Sequence, residues 1–373
     1  YDDLGRLTGV ELPAVPDPKN GYRLTAPRYG YTYAPNGVLT TIRDALGRET
    51  AFAYDHLNRQ TARTLPMGQT EHSEYDPLGR LSRKTDFIGN TADYSYDNLG
   101  RLVRKDIHSP SAISHSASSY SYDSLGRLTN VLTQVQTNGA WIVTRSETSE
   151  YNTDNQLIAV ISPEGTLHYQ YDPATGRKLR AWTDGGTDTR YAYDSEGRLA
   201  TVSSVTTNEA GETVTNDFRY TYTAVGSRES VSLPNGITTT YAYNSLNRLT
   251  QLAHINPAGQ ILGSYGYTLA PDGRRTGARE VRKLPNDQGL MTNDLVYTYD
   301  DLNRLTKEVI ATTASGAPGS EVMSGEYEYD LVGNRLRRVV AAGGELLETR
   351  YTYNANDQLL TEVHAVSLAQ IPV

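Results

Sequence analysis

One short phrase, written again and again, limits this chain more than any other feature. Residues 94–105 read YSYDNLGRLVRK, and close copies follow as YSYDSLGRLTNV (120–131), YAYDSEGRLATV (191–202), YAYNSLNRLTQL (241–252) and YTYDDLNRLTKE (297–308). Anchored on the Tyr before the turn, fifteen copies run from Tyr1 to Tyr353, spaced by 20 to 32 residues, with Tyr267 taken as the anchor of the twelfth. Tyr33, Tyr54, Tyr75 and Tyr96 are evenly spaced by 21. A repeat array is one long object without independent cores. The 373 residues are therefore expected to form a single array (1–373) rather than separate domains. Because the chain starts inside a motif, at YDDLGRLT, that array is expected to be part of something longer.

The repeated phrase contains a turn. Asp or Asn at its first position and Gly at its fourth match a type I turn followed by a residue at positive φ, which starts a bulged return strand. The pairs Asp97/Gly100, Asp123/Gly126 and Asp194/Gly197 carry this pattern. Where Gly is missing, Asn58, Asn155, Asn247, Asn303 or Asp357 stands instead. Asn and Asp are the residues that best tolerate the left-handed region, so the slot asks for positive φ rather than for small size. A weaker second set of turns lies between these, for example DALG (44–47), LPMG (65–68), DFIG (86–89), SPEG (162–165), LPNG (233–236) and NPAG (256–259). Each copy then holds two reversals and two strands of about 6–7 residues. Polar interruptions near Glu11–Gly30, Asp106–Ser119, Thr206–Asp217, Thr276–Asn293 and Thr312–Gly325 are expected to be long loops at one rim.

Tyr-x-Tyr puts both rings on one face of a strand. Tyr54, Tyr75, Tyr94, Tyr96, Tyr120, Tyr122, Tyr191, Tyr193, Tyr241, Tyr243, Tyr297 and Tyr299 are the expected aromatic ladder, held by cross-strand ring pairs. The residue between them is small or polar. Composition agrees, with 28 Tyr against 3 Phe and 2 Trp. Tyr buries a ring and keeps a hydroxyl for a partner, which suits a sheet with a half-dry face. The Arg after Gly (Arg6, Arg80, Arg101, Arg127, Arg198) has two readings: a partner for the turn Asp of a neighbouring copy, or a solvated rim charge.

About 30 strands make a ribbon roughly 140 Å wide, too wide to stay open without curling. One complete turn of such a ribbon is about 45 Å across at the strand axes. A propeller or a parallel solenoid are the competing forms, but alternate copies do not differ and the turns reverse the chain. The expected fold is all-β: tandem hairpins in a long curled antiparallel sheet, a spiral shell or cocoon wall. Its two open edges invite self-association.

The recurring YDxxGRL resembles the signature of the RHS or YD-repeat family, along essentially the whole chain. That family includes bacterial polymorphic toxins, cocoon subunits of insecticidal toxin complexes, and teneurins. The resemblance implies a β-shell which, in the bacterial members, encloses a C-terminal toxin domain. It implies as partners the remaining shell segments and an enclosed toxin polypeptide, and as location the outside or surface of a bacterial cell. An extracellular adhesion or carbohydrate-binding scaffold is the alternative it allows. Bacterial members end their repeats with paired Asp-Pro elements whose aspartates carry out self-cleavage. Here the nearest text, YDPATGRKL (171–179), has no second Asp-Pro after it and is expected to be an ordinary copy with one extra turn residue. The chain is thus expected to be shell wall without plug or cargo.

The remaining residues suggest no chemistry. Net charge is −8 and no basic stripe points to nucleic acid. There is no cysteine for a disulfide or thiolate metal site. Mean hydropathy is −0.55, and no apolar run approaches a membrane span. His56, His72, His108, His115, His168, His254 and His364 are scattered without metal-ligand spacing. TDGGTD (183–188) lacks the repeat of calcium-binding solenoids and reads as a plain turn. No nucleophile elbow, phosphate loop or HExxH occurs. The expectation is a non-enzymatic protein with no cofactor, no metal and no catalytic residue.

Overall fold

The computed structural model describes residues 1–11, 28–110, 115–208, 210–284, 289–314 and 321–368. They form 29 strands in one sheet, from β1 (Gly9–Glu11) to β29 (Leu359–Leu368). Every strand from β2 to β28 pairs antiparallel with the strand before it and the strand after it. The sheet does not close on itself by strand pairing, so β1 and β29 are its edges. One continuous meander excludes both the bladed propeller and the parallel solenoid.

The hairpin of β8 (Thr91–Tyr96) and β9 (Leu102–His108) shows the unit. Ser95 pairs with Arg104 but Tyr96 with Leu102, so the return strand carries one extra residue just after the turn. The same shift follows Tyr75, Tyr243 and Tyr353. In the twelfth copy the shift falls at Leu269, and the turn is Ala270–Gly273. The anchor expected at Tyr267 is therefore two residues early; the second aromatic of YGY was mistaken for the pre-turn position. The YDPATGRKL copy carries its extra turn residue as expected: Asp172 N–H bonds to Arg177 O, one residue further than Asp97 N–H to Arg101 O.

The strands that flank the interruptions do meet on one rim, that of the weaker turns, but the described parts of several are strand rather than loop. Pairing continues out to Thr207↔Thr213, Lys283↔Leu290 and Thr312↔Glu321. Their Thr and Val content favours strand, so the hairpins lengthen instead of fraying. Residues 12–27, 111–114, 209, 285–288 and 315–320, one stretch inside each of the five interruptions, lie outside the described residues.

The sheet is one layer thick. Among the described residues the buried apolar ones are Ala117, Ala159, Val231, Ala253, Ala270, Ala278 and Tyr327, and no large side chain is fully enclosed. Accessible surface is 23049 Å², against about 14,700 Å² for a compact protein of this mass. Two sheets packed around a dry core could not leave so much surface wet.

The ribbon nevertheless meets itself, rim to rim. Arg48, in the turn between β3 (Leu39–Arg43) and β4 (Glu49–Tyr54), reaches Asp330, between β26 (Glu321–Tyr329) and β27 (Arg335–Ala342). Asn356, between β28 (Glu345–Tyr353) and β29, reaches Asp86, between β7 (Leu81–Thr85) and β8. One coil thus takes 21 to 23 strands. The expected diameter of about 45 Å is corrected to roughly 34 Å, because about 22 strands and not all of them complete the circle.

Candidate functional site

The repeated turn builds a clasp. At Asp97, Oδ1 accepts the N–H groups of Leu99 and Arg101, both at 2.9 Å, and Oδ2 accepts Arg101 Nε at 2.7 Å. Gly100 N–H closes the turn on Asp97 O at 3.0 Å. Gly100, Gly126 and Gly197 have φ of 79°, 83° and 79°, and Asn247 and Asn303 occupy the same region at 58° and 63°. That geometry folds the Arg stem back over its own turn. Asp123 and Asp194 hold Arg127 and Arg198 in the same way. Backbone N–H donation from Arg101 and Arg127 holds the Asp97 and Asp123 carboxyls below the usual carboxylate range, opposed by partial desolvation and helped by the guanidinium.

Each Arg also grips the next copy, though not through the carboxylate. Arg101 Nη1 donates to Asp123 O at 3.3 Å and lies 4.8 Å from the Tyr122 ring centroid; Tyr122 OH donates back to Leu102 O at 2.7 Å. The same three contacts join Arg80 to the copy of Tyr96 and Asp97, and Arg59 to that of Tyr75 and Asp76. Neither sequence reading of the Arg was right. It pairs with the Asp of its own turn and offers the neighbour a main-chain bond and a cation over its ring.

The aromatic ladder is altered in the same sense. Tyr193, Tyr243 and Tyr299 bond through their hydroxyls to Lys178, Arg228 and Arg275 carbonyls. Tyr94 and Tyr241 lie under Lys105 and Arg228. Tyr120, Tyr191 and Tyr297 are half-buried on the same side as their partners in each Tyr-x-Tyr, and Tyr54 is half-buried on the same side as Phe52. Among the described residues no two tyrosine rings are in ring contact; the ring contacts are His108–His115, His168–Trp182 and His254–Tyr265. A cation against the ring takes the place of the expected ring pairs: Arg80 lies over Tyr96 and Arg101 over Tyr122.

The fold also brings together residues that looked scattered. His108 and His115 meet with their Nδ1 atoms 3.0 Å apart, and His108 lies 3.5 Å from Asp93. TDGGTD turns between Thr183 and Thr187, and its Asp188 is bracketed by Arg180 and Arg190. Among the described residues no three His, Asp or Glu form a metal-sized group, and no helix is long and apolar enough to cross a membrane.

The seam uses the same parts across the coil. Asp44 and Arg48 form a full clasp within the weaker turn set, and Arg48 Nη1 then donates to Asp330 O at 3.3 Å. Arg304 donates to that carbonyl at 3.2 Å, as any preceding copy would. Asn356 Nδ2 donates to Asp86 Oδ2 at 2.7 Å. Sequence reasoning missed these residues, although DALGR copies the stronger motif letter for letter at its Asp, Gly and Arg. It also missed the Leu at the third turn position, treated as free, which recurs as Leu57, Leu78, Leu99 and Leu125.

The comparisons agree with this architecture. The family described as Teneurin YD-shell matches residues 143–370, and that described as RHS Repeat matches 33–70 and 75–110. No match was found among the curated proteins. Among solved structures, the Photorhabdus luminescens Tc holotoxin pore aligns at TM-score 0.69 and 16% identity, over 96% of this chain and 19% of that one. TcdB2-TccC3 without its hypervariable C-terminal region aligns at TM-score 0.65 and 17% identity, over 96% and 20%. The chain therefore spans about a fifth of the length of those chains, and at this identity the likeness is one of fold. With a YD-shell match over more than half its length and the repeat clasp in copy after copy, this chain belongs to the YD-shell family of RHS-repeat proteins.

Proposed function

We propose that this chain is a non-enzymatic wall segment of a shell that encloses a polypeptide, and that it acts as one array within a longer wall. The observation that carries the reading is the single-layer ribbon that coils until its two rims touch. The solved toxin-complex structures of the same fold support it. A coil roughly 34 Å across at the strand axes, lined by side chains, leaves about 20 Å inside. A folded 100-residue domain is about 34 Å across, so a cargo in this stretch is extended or partly unfolded. The remaining shell segments are its partners, outside or at the surface of a bacterial cell.

Protease protection in the assembled shell tests this. An unstructured polypeptide fused after Val373 should survive protease while the shell is folded and be cut once denaturant opens it. Equal cleavage in both states removes the container reading. Retention on immobilised glycans without protection selects the adhesion scaffold instead.

A further inference from the structure

Most histidines with a described partner meet an oxygen. His254 and His364 each place Nδ1 against a threonine hydroxyl across the sheet, Thr239 at 2.9 Å and Thr349 at 3.1 Å. His168 stacks on Trp182 with Nε2 3.3 Å from Asp184. His108 and His115 differ, because each turns a ring nitrogen toward the other. Their Nδ1 atoms lie 3.0 Å apart, with ring centroids at 4.7 Å and planes at 61°. His108 ends β9, and His115 directly precedes β10 (Ser116–Tyr122), so the pair bridges two adjacent strands at the weaker-turn rim. His108 shares its sheet face with Asp93 and Asp106, away from Tyr94 and Tyr96.

Two imidazole nitrogens bound to one ion at about 2.0–2.1 Å stand about 2.9 Å apart at a right angle and about 3.4 Å apart at the tetrahedral angle. The 3.0 Å spacing fits neighbouring corners of a square. That is the tetragonal geometry of Cu(II) and Ni(II) with nitrogen ligands. The second nitrogen of His108 is engaged as well: Nε2 lies 3.5 Å from Asp93 Oδ2. Asp93 is itself fixed by Arg83, which donates to its two oxygens at 2.6 and 3.1 Å. A carboxylate beside Nε2 favours the tautomer with its proton there and leaves the Nδ1 lone pair for a metal. Local charge does not oppose a cation, since Asp93 and Asp106 balance Arg83 and Arg104. The His108 side chain is 41% exposed, so an ion can enter and water can fill its other positions.

We propose that His108 and His115 form a chelating site for one divalent ion, Cu(II) most tightly and Ni(II) next, which ties β9 to β10. Ligation replaces the hydrogen bond between the rings. The proton on His115 Nδ1 moves through solvent to its Nε2, and both Nδ1 lone pairs face the ion. An ion that binds only the folded hairpin also stabilises it. The site is independent of whether the array encloses a polypeptide.

The test uses the full chain without a histidine tag, titrated with Cu(II) in a non-chelating buffer near neutral pH. One ion per chain should bind, with two ring nitrogens in the copper paramagnetic resonance spectrum and a urea midpoint that rises with added Cu(II). Acidification should release the ion, because ligation needs neutral imidazole. His108→Gln and His115→Gln, measured separately, should each weaken uptake by about tenfold or more, because the second nitrogen binds intramolecularly. His254→Gln should bind as the unaltered chain does. Three results overturn the proposal: a spectrum with a single ring nitrogen, undiminished uptake in either variant of the pair, or an equal loss in His254→Gln. The spectrum of the unaltered chain decides even if a variant does not fold.

Discussion

Asp97 and Asp123 each serve two backbone donors and one guanidinium at once, so the charge on one small carboxylate organises a five-residue turn. The depressed folded value of Asp2, Asp55, Asp97 and Asp123 sets a sign. Their contribution is fully present above the ordinary aspartate value of about 3.9 and is lost as pH falls through the lower folded value. Urea midpoints should hold steady from neutral pH down to about 5 and then drop below about 4. A flat profile to lower pH would mean the clasps add nothing. Asp97→Asn should remain folded, because Asn152 and Asn244 accept the same two N–H groups, and should soften that drop. At the fourth position a Cβ on Gly100 would meet nothing within 4 Å, so only φ penalises substitution there. Gly100→Val should cost about 1 kcal/mol more than Gly100→Asn, read as the difference in denaturant midpoint; equal values would remove the positive-φ account.

Between elements, the unit of cohesion is the Arg that spans two copies. Arg80 touches Asp76, the Asp97 carbonyl and the Tyr96 ring, and Tyr96 OH returns a bond to Leu81 O. Tyr96→Phe should cost about 0.5–1.5 kcal/mol, the net value of one hydrogen bond. Arg80→Ala should cost more, since it removes three contacts. The double variant should cost less than the sum, because the two residues share one contact network. Strict additivity in a denaturant-based mutant cycle would show that the ring and guanidinium act independently. This network was only half legible in the sequence. Asp, Gly and Tyr were readable from local rules of turn and strand. The target of the Arg was not, because the bulge after the turn swings its stem back by a geometry that spacing alone does not reveal.

For the whole molecule, cohesion is quasi-one-dimensional: neighbours hold neighbours, and the rims add a few contacts between coils. The edges are accordingly its weak points. β29 presents Leu359, Leu360, Val363 and Val366, all more than half exposed, beside an unpaired backbone edge. The protein should associate with rising concentration, and Leu360→Lys with Val366→Lys should suppress this without lowering the unfolding midpoint. Sedimentation showing the same association in that double variant would place the contact elsewhere.

The local code is written in neighbouring residues. Turn positions, the φ > 0 slots, the all-β meander and the face shared by each Tyr-x-Tyr follow from residues near one another in the chain, where steric and hydrogen-bonding rules act over four or five residues. Even the rim that carries the insertions was readable from the alternation of strong and weak turns. How tightly the ribbon coils is not written in any one copy, since curvature sums small twists over some 22 strands. That sum is what brings Arg48 to Asp330 and Asn356 to Asp86. It also leaves Leu99 in water while covering Val332, two residues with the same place in the same turn.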